Sequence, residues 1–211
     1  MKSRFFKLLA LTLALVLCLS FVGCSKKDET QDGGKTQAID QSDVVKAVIT
    51  VEGFGQIKLD LDRKTAPITV DNFVELANSG YYDGLTFHRV VPDFVLQGGD
   101  PEADGTGGSE KTIKGEFSQN GVNNNISHTR GTISMARLGN DPNSASSQFF
   151  IVQKDCTTLD GYYAAFGRVT EGMEIVDKII AETPVADPAS GFVEKTKQPC
   201  IRCIEIIPNS K

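Results

Sequence analysis

Only two histidines and five scattered cysteines occur among the 211 residues. That leaves little material for a zinc cluster, which needs four such ligands. Basic residues are outnumbered, 22 Lys and Arg against 27 Asp and Glu, for a net charge of −5. A general nucleic-acid binder would carry the opposite balance. No G-x-S-x-G elbow, H-E-x-x-H helix or Walker lysine is present, so the common hydrolase, zinc-protease and P-loop templates all fail. Nor is the chain poor in apolar residues. At 40% hydrophobic and 23% charged, it is too apolar for disorder and fits one globular domain with tails.

The first 23 residues read as an export signal rather than part of the fold. Lys2, Arg4 and Lys7 precede an uncharged run from Leu8 to Val22. The run is shorter than the roughly 20 residues of a membrane-spanning helix, yet suits a signal h-region. It ends in Phe21-Val22-Gly23-Cys24, which resembles the lipobox of bacterial lipoproteins, with Phe21 in place of the usual Leu. The resemblance implies cleavage before Cys24 and lipidation of that cysteine. Two or three acyl chains, each buried CH₂ adding about 0.8 kcal/mol, would anchor the protein stably. An ordinary export signal with an incidental cysteine is the alternative. Residues 24–43 follow as a polar stretch with Gly33-Gly34 at its centre. It reads as a flexible tether that would hold the domain roughly 20–25 Å from its anchor.

The domain is expected from Val44 to Pro208, about 165 residues, enough to bury about two thirds of the unfolded surface. Val44–Val51 and Gln56–Leu61 are β-rich and joined by Gly53-Phe54-Gly55, a hairpin pattern. A helix with Pro67 in its first turn and Gly80 as its stop carries Val70, Phe73, Val74 and Ala77 on one stripe. Short strands are expected at Thr86–Val91, Phe94–Gln97, Thr132–Met135, Gln148–Val152 and Ala164–Val169. A second helix near 172–181 places Met173, Val176, Ile179 and Ile180 together, and Cys200–Ile207 reads as a central strand. Many short strands with two helices point to a mainly β barrel or sandwich with helical caps.

Other candidate chemistry is thin. Asp100–Lys111 (DPEADGTGGSEK) imitates a calcium loop, but Lys111 occupies the position of the bidentate Glu. It reads as a glycine-rich loop, and no metal or cofactor is expected. His88 and His128 stand far apart and read as hydrogen-bonded structural histidines. Cys200 and Cys203 would face opposite sides of a strand; a disulfide involving Cys156 stays open.

Five blocks carry a specific pattern: FHRVVPDFVLQGGD (Phe87–Asp100), GTGG (Gly105–Gly108), GTISMAR (Gly131–Arg137), SSQFFI (Ser146–Ile151) and LDGYYAAFGRV (Leu159–Val169). In this order and spacing, residues 44–208 resemble a cyclophilin, the cyclosporin-binding family of peptidyl-prolyl cis–trans isomerases. The resemblance implies a closed eight-stranded antiparallel barrel with a helix over each end. Since side chains fill so small a barrel, the substrate groove is expected on its outer wall. By resemblance Arg89 is the catalytic donor, with Gln97 and Phe94 beside it. Phe94, Val95, Phe150 and Leu159 match the pocket for the proline ring, and Gln97 and Gln148 match residues that hold the substrate backbone. Ala136 and Arg137 match a segment whose main chain pairs with the peptide, although the family often has Asn at the second place.

Two departures stand out. Thr158 replaces the tryptophan found in many eukaryotic members, and the chain has no Trp, which implies weak cyclosporin binding. Tyr163 stands where such members have a pocket histidine, and can keep an apolar wall with a hydrogen-bonding tip. The expected substrates are proline-containing segments of exported proteins, acted on outside the cytoplasm by a lipid-anchored monomer. A module that only holds proline segments, and an envelope protein that uses only its anchor, are the alternatives.

Overall fold

A computed structural model describes residues 43–208. The expected signal 1–23, Cys24 and all of the tether but Asp43 lie outside the described residues. β1 (Val44–Val51) and β2 (Gly55–Asp62) form the expected hairpin. Their inward positions Val45, Ala47, Ile49, Ile57, Leu59 and Leu61 are all buried, the period-2 pattern of a one-sided sheet. α1 (Pro67–Asn78) follows, then β3 (Arg89–Val91), β4 (Val95–Gly98), β5 (Thr132–Met135), β6 (Phe149–Val152), β7 (Ala165–Glu171), α2 (Met173–Glu182) and β8 (Ile201–Ile207).

Local chemistry explains the helix ends. Pro67 occupies the first turn of α1, where its missing N–H costs nothing. At the other end Gly80 adopts φ +72°. There Gly80 N donates to Ala77 O and Tyr81 N to Leu76 O, both at 3.0 Å, the paired bonds of a Schellman stop. The cap residue Ala66 offers no side-chain acceptor. Instead the buried carboxylate of Glu116 reaches in from 47 residues away. It accepts from Thr69 N at 2.8 Å, Thr69 Oγ1 at 2.7 Å and Ile68 N at 3.1 Å.

The eight strands pair antiparallel in the order β3-β4-β6-β5-β7-β2-β1-β8 and curl around one core. Inside, Phe73, Tyr82, Phe149 and Phe166 meet with ring centroids 5.2–5.6 Å apart. α1 packs on β8 and β2, starting from the Asp62 end of β2. α2 packs against β2 with Ile175 against Gly55 at its other end. All four residues of the expected α1 stripe are buried, as are Val176, Ile179 and Ile180 of α2.

Three expectations are corrected. The barrel is not closed by strand pairing: the sheet is open, with β3 and β8 as its edges. The strand expected from Thr86 starts only at Arg89. Between the edges runs an irregular seam of Gly84 N→Ile201 O, Ile201 N→Leu85 O and Phe87 N→Pro199 O, at 2.7–2.9 Å. Pro199 has no N–H to return the last bond, so the ladder cannot continue. For the same reason β8 begins at Ile201 and is an edge rather than a central strand; its apolar character comes from the helix that covers it.

Candidate active site

Alternation along the sheet creates a second apolar cluster on its outer face. Leu96, Phe149 and Ile151 point into the core, while Val95, Phe150 and Val152 form a separate group outside it. Phe94, Ala136, Leu159 and Tyr163 pack against that group. Phe94, Val95, Ala136, Phe150, Leu159 and Tyr163, together with Arg89, Gln97 and Arg137, line a cavity of about 210 Å³. Gln148 stands one step away, in the wall of an adjoining cavity of about 270 Å³ that shares Gln97, Ala136 and Arg137. All ten residues named from the motif blocks therefore surround one continuous groove.

A chain of polar side chains crosses it. Arg89 Nη1 donates to Gln97 Oε1 at 3.2 Å, Gln97 Nε2 to Gln148 Oε1 at 2.9 Å, and Gln148 Nε2 to the carbonyls of Gly105 and Gly107 at 3.1 and 2.7 Å. The GTGG block thus acts through its main chain. Arg89 Nε donates to Ser190 O at 2.8 Å, and its Cζ lies 5.9 Å from the Phe94 ring centroid. Burial pulls the Arg89 guanidinium below its ordinary pKa, with Tyr163 acting in the opposite direction. Arginine remains charged under any such shift. No carboxylate pairs with Arg89 among the described residues; its hydrogen bonds there run through Nε and Nη1.

Arg137 is spent differently. It donates to the carbonyls of Tyr162, Leu138 and Gly139. Its guanidinium also lies 4.8 Å over Tyr163 and 5.2 Å over Phe117. It therefore staples the 136–139 turn to the 162–163 wall, while Tyr163 packs edge-on to Phe150 at 5.8 Å.

The floor rests on a hydrogen-bonded structural histidine, the role expected for His128. His128 stacks beneath Phe150 at 6.0 Å. It is fixed by Asp160 at Nδ1, 2.8 Å, and by Ser134 at Nε2, 3.0 Å. Burial outweighs the raising effect of Asp160 and holds the imidazole below its ordinary pKa. His88 departs from expectation: it is buried and stacked on Phe192, and neither ring nitrogen has a partner among the described residues. Asp100, first residue of the calcium-like loop, accepts from Glu102 N, Asp104 N and Gly105 N. Its carboxylate thus folds its own loop. Cys156, Cys200 and Cys203 are free thiols, so the disulfide left open is not formed.

The serine that meets an imidazole, Ser134 on His128, is fully buried and lines no part of the groove, which offers instead a largely apolar cavity edged by the Arg89 guanidinium. A family profile described as cyclophilin type peptidyl-prolyl cis-trans isomerase/CLD matches residues 46–202. The chain belongs to that family. Peptidyl-prolyl cis-trans isomerase B of Bacillus subtilis (strain 168) is similar, at 48% identity over 124 residues, 59% of this chain and 82% of that one. A Helicobacter pylori (strain J99) isomerase is 43% identical over 163 residues, 74% of this chain and 97% of its own. A crystal structure of a Cryptosporidium parvum cyclophilin-type isomerase superposes with a TM-score of 0.69 at 28% identity, covering 79% of this chain and 99% of that one. The same protein in the presence of the dipeptide Ala-Pro gives 0.68 at 29% identity. This cyclophilin is a peptidyl-prolyl cis–trans isomerase by family and by relatives.

Proposed function

We propose that this cyclophilin isomerises X-Pro bonds of exported proteins from a lipid anchor, and that Arg89 lowers the barrier. The 210 Å³ cavity takes the proline ring against Phe94, Val95, Phe150, Leu159 and Tyr163. Gln97, Gln148 and the Ala136–Arg137 main chain hold the flanking peptide. The relative crystallised with Ala-Pro supports a proline-containing ligand.

The observation that carries the mechanism is the guanidinium at the cavity edge, pinned by Ser190 O and Gln97 and paired with no carboxylate among the described residues. Turning an X-Pro bond breaks amide resonance over a barrier of ~18–20 kcal/mol. Unaided turnover takes roughly tens to hundreds of seconds. Reaching milliseconds needs about 10⁴–10⁵-fold, about 5–7 kcal/mol. In the twisted state the prolyl nitrogen regains its lone pair and accepts a hydrogen bond that neither planar state can. A fixed, charged donor aimed there stabilises the transition state selectively. Val95 and Phe150 supply a rigid wall against which the ring stays put while the preceding carbonyl turns.

Residues 1–23 as export signal, Cys24 as lipid attachment point and 24–43 as tether to the 44–208 domain complete the reading. It is supported by the lipobox-like Phe21–Cys24. Slow X-Pro steps limit folding of exported chains, which gives such an enzyme its task. Arg89→Ala, followed by NMR exchange on an Ala-Ala-Pro-Phe peptide, is expected to lower the rate by about 10²–10³-fold. Acceleration unchanged by the substitution overturns the role of Arg89, and no acceleration by the wild type overturns the activity. Labelled fatty acid should enter the wild type and not Cys24→Ser. Equal labelling, or none in either, would sink the anchor.

A further inference from the structure

We propose that the segment Asp187–Phe192 is a positioning element for Arg89, and that Gly191 is the residue on which its placement depends. The inference rests on the role of Arg89 proposed above. No motif block includes this segment, and none of its side chains enters the groove. Its main chain nevertheless holds the catalytic side chain through Ser190 O, 2.8 Å from Arg89 Nε.

The segment is built to present that carbonyl. Gly191 N donates to Asp187 O at 2.8 Å, and the Asp187 carboxylate accepts from Ala189 N at 3.0 Å. Backbone bonds then splice it onto the free side of β3: Val90 N→Gly191 O at 2.8 Å and Val193 N→His88 O at 3.0 Å, around the bridge Arg89–Phe192. The open edge of the sheet is thereby covered where the catalytic arginine sits. Phe192 stacks on His88 at 6.2 Å and on its other flank meets Gly105, where a Cβ would fall 2.9 Å from its ring. Gly105 is one of the two residues whose carbonyls hold Gln148. The contacts close a ring: Ser190, Arg89, Gln97, Gln148, Gly105, Phe192. Both ends of the polar chain across the groove thus lean on one short segment.

Gly191 allows the splice. Its φ is +75°, and a Cβ there would lie 2.4 Å from Val91 Cγ2 and 2.8 Å from Val90 O. A methyl group must lift the segment by about 1 Å, and a misplacement of that size costs up to about 10²-fold in rate. In the full-length protein, Gly191→Ala is expected to lower kcat about ten- to a hundredfold, with a much smaller change in KM for Ala-Ala-Pro-Phe. A role through Arg89 makes the two changes non-additive. Introduced into Arg89→Ala, Gly191→Ala should cost less than about twofold.

Equal losses in both backgrounds, or none in the wild type, overturn the proposal. So does an Arg89→Ala protein as fast as the wild type, because the reading beneath it then fails first. A wild type without activity is the separate failure of the isomerase reading. If Gly191→Ala does not fold, as circular dichroism would show, Asp187→Ala decides in the same cycle. It removes the carboxylate that orders Ala189 without adding any atom, and must show the same dependence on Arg89.

Discussion

Replacing Glu116 by alanine tests whether a helix can be capped from a distant part of the chain. Glu116 is 2% exposed and Thr69 is 0% exposed, so neither is rescued by water. The substitution removes three charge-assisted bonds, at 2.7, 2.8 and 3.1 Å, from the first turn of α1. Loss of an N-cap costs about 1 kcal/mol, and stranding the buried N–H and hydroxyl of Thr69 costs about 1–3 kcal/mol more. Relief of the carboxylate's own desolvation offsets part of this. The net expectation is a loss of about 3 kcal/mol. For a domain of this size that is a fall in Tm of about 6–12 °C, and in urea a midpoint lower by about 1–2 M. Glu116→Gln keeps one acceptor but turns an amide hydrogen toward donors, and should lose about half as much. Calorimetry and urea titration of the three proteins give the comparison. A loss below about 1 kcal/mol for Glu116→Ala would show that the carboxylate does not cap the helix.

Burial is the largest influence on both His128 and His88 and holds each below its ordinary pKa. The unfolded chain therefore binds more protons as the medium acidifies. Stability should be full above about pH 6.5 and decline as pH falls through the folded-state values; a Tm that rises on acidification contradicts this. Gly167→Ala places a Cβ 2.4 Å from Asp60 O and 2.9 Å from Leu61 Cα. Backbone cannot yield as a side chain would, so β2 and β7 must part at a cost of about 3 kcal/mol, measurable in urea. Asp160→Ala frees His128 beneath Phe150 and is expected to raise KM for proline peptides more than it lowers kcat; unchanged KM would remove His128 from the floor of the site. Titration calorimetry should find weak cyclosporin binding that Thr158→Trp strengthens, and nanomolar binding by the wild type would refute the expectation.

What could be read in advance followed from whether the cause was local. The α1 stripe Val70, Phe73, Val74, Ala77 and the stop at Gly80 depend on neighbours three or four residues apart, and the structure shows both. The groove residues lie in contiguous blocks, which made them nameable, and alternation along β4 and β6 brings them to one face. The open seam was hidden because it depends on one missing N–H, at Pro199, opposite a distant Phe87. Glu116 was hidden because its partners lie 47 residues away. Ser190 acts through its carbonyl, which every residue possesses, so no residue type could announce it. His88 looked like a satisfied histidine because burial without a partner runs against the usual rule.

The separation of the outer cluster from the core bears on how such an enzyme can change over time. A substitution at Val95, Leu159 or Tyr163 alters the groove without touching the packing of Phe73, Phe149 or Phe166 on the far side of the sheet. Effects at well-separated sites with no shared partners add nearly independently. Selection on ligand choice can therefore proceed with little draw on the narrow stability margin a domain possesses. The backbone of β4 and β6 serves as a partition between two inheritable properties, one concerned with remaining folded and the other with what is bound.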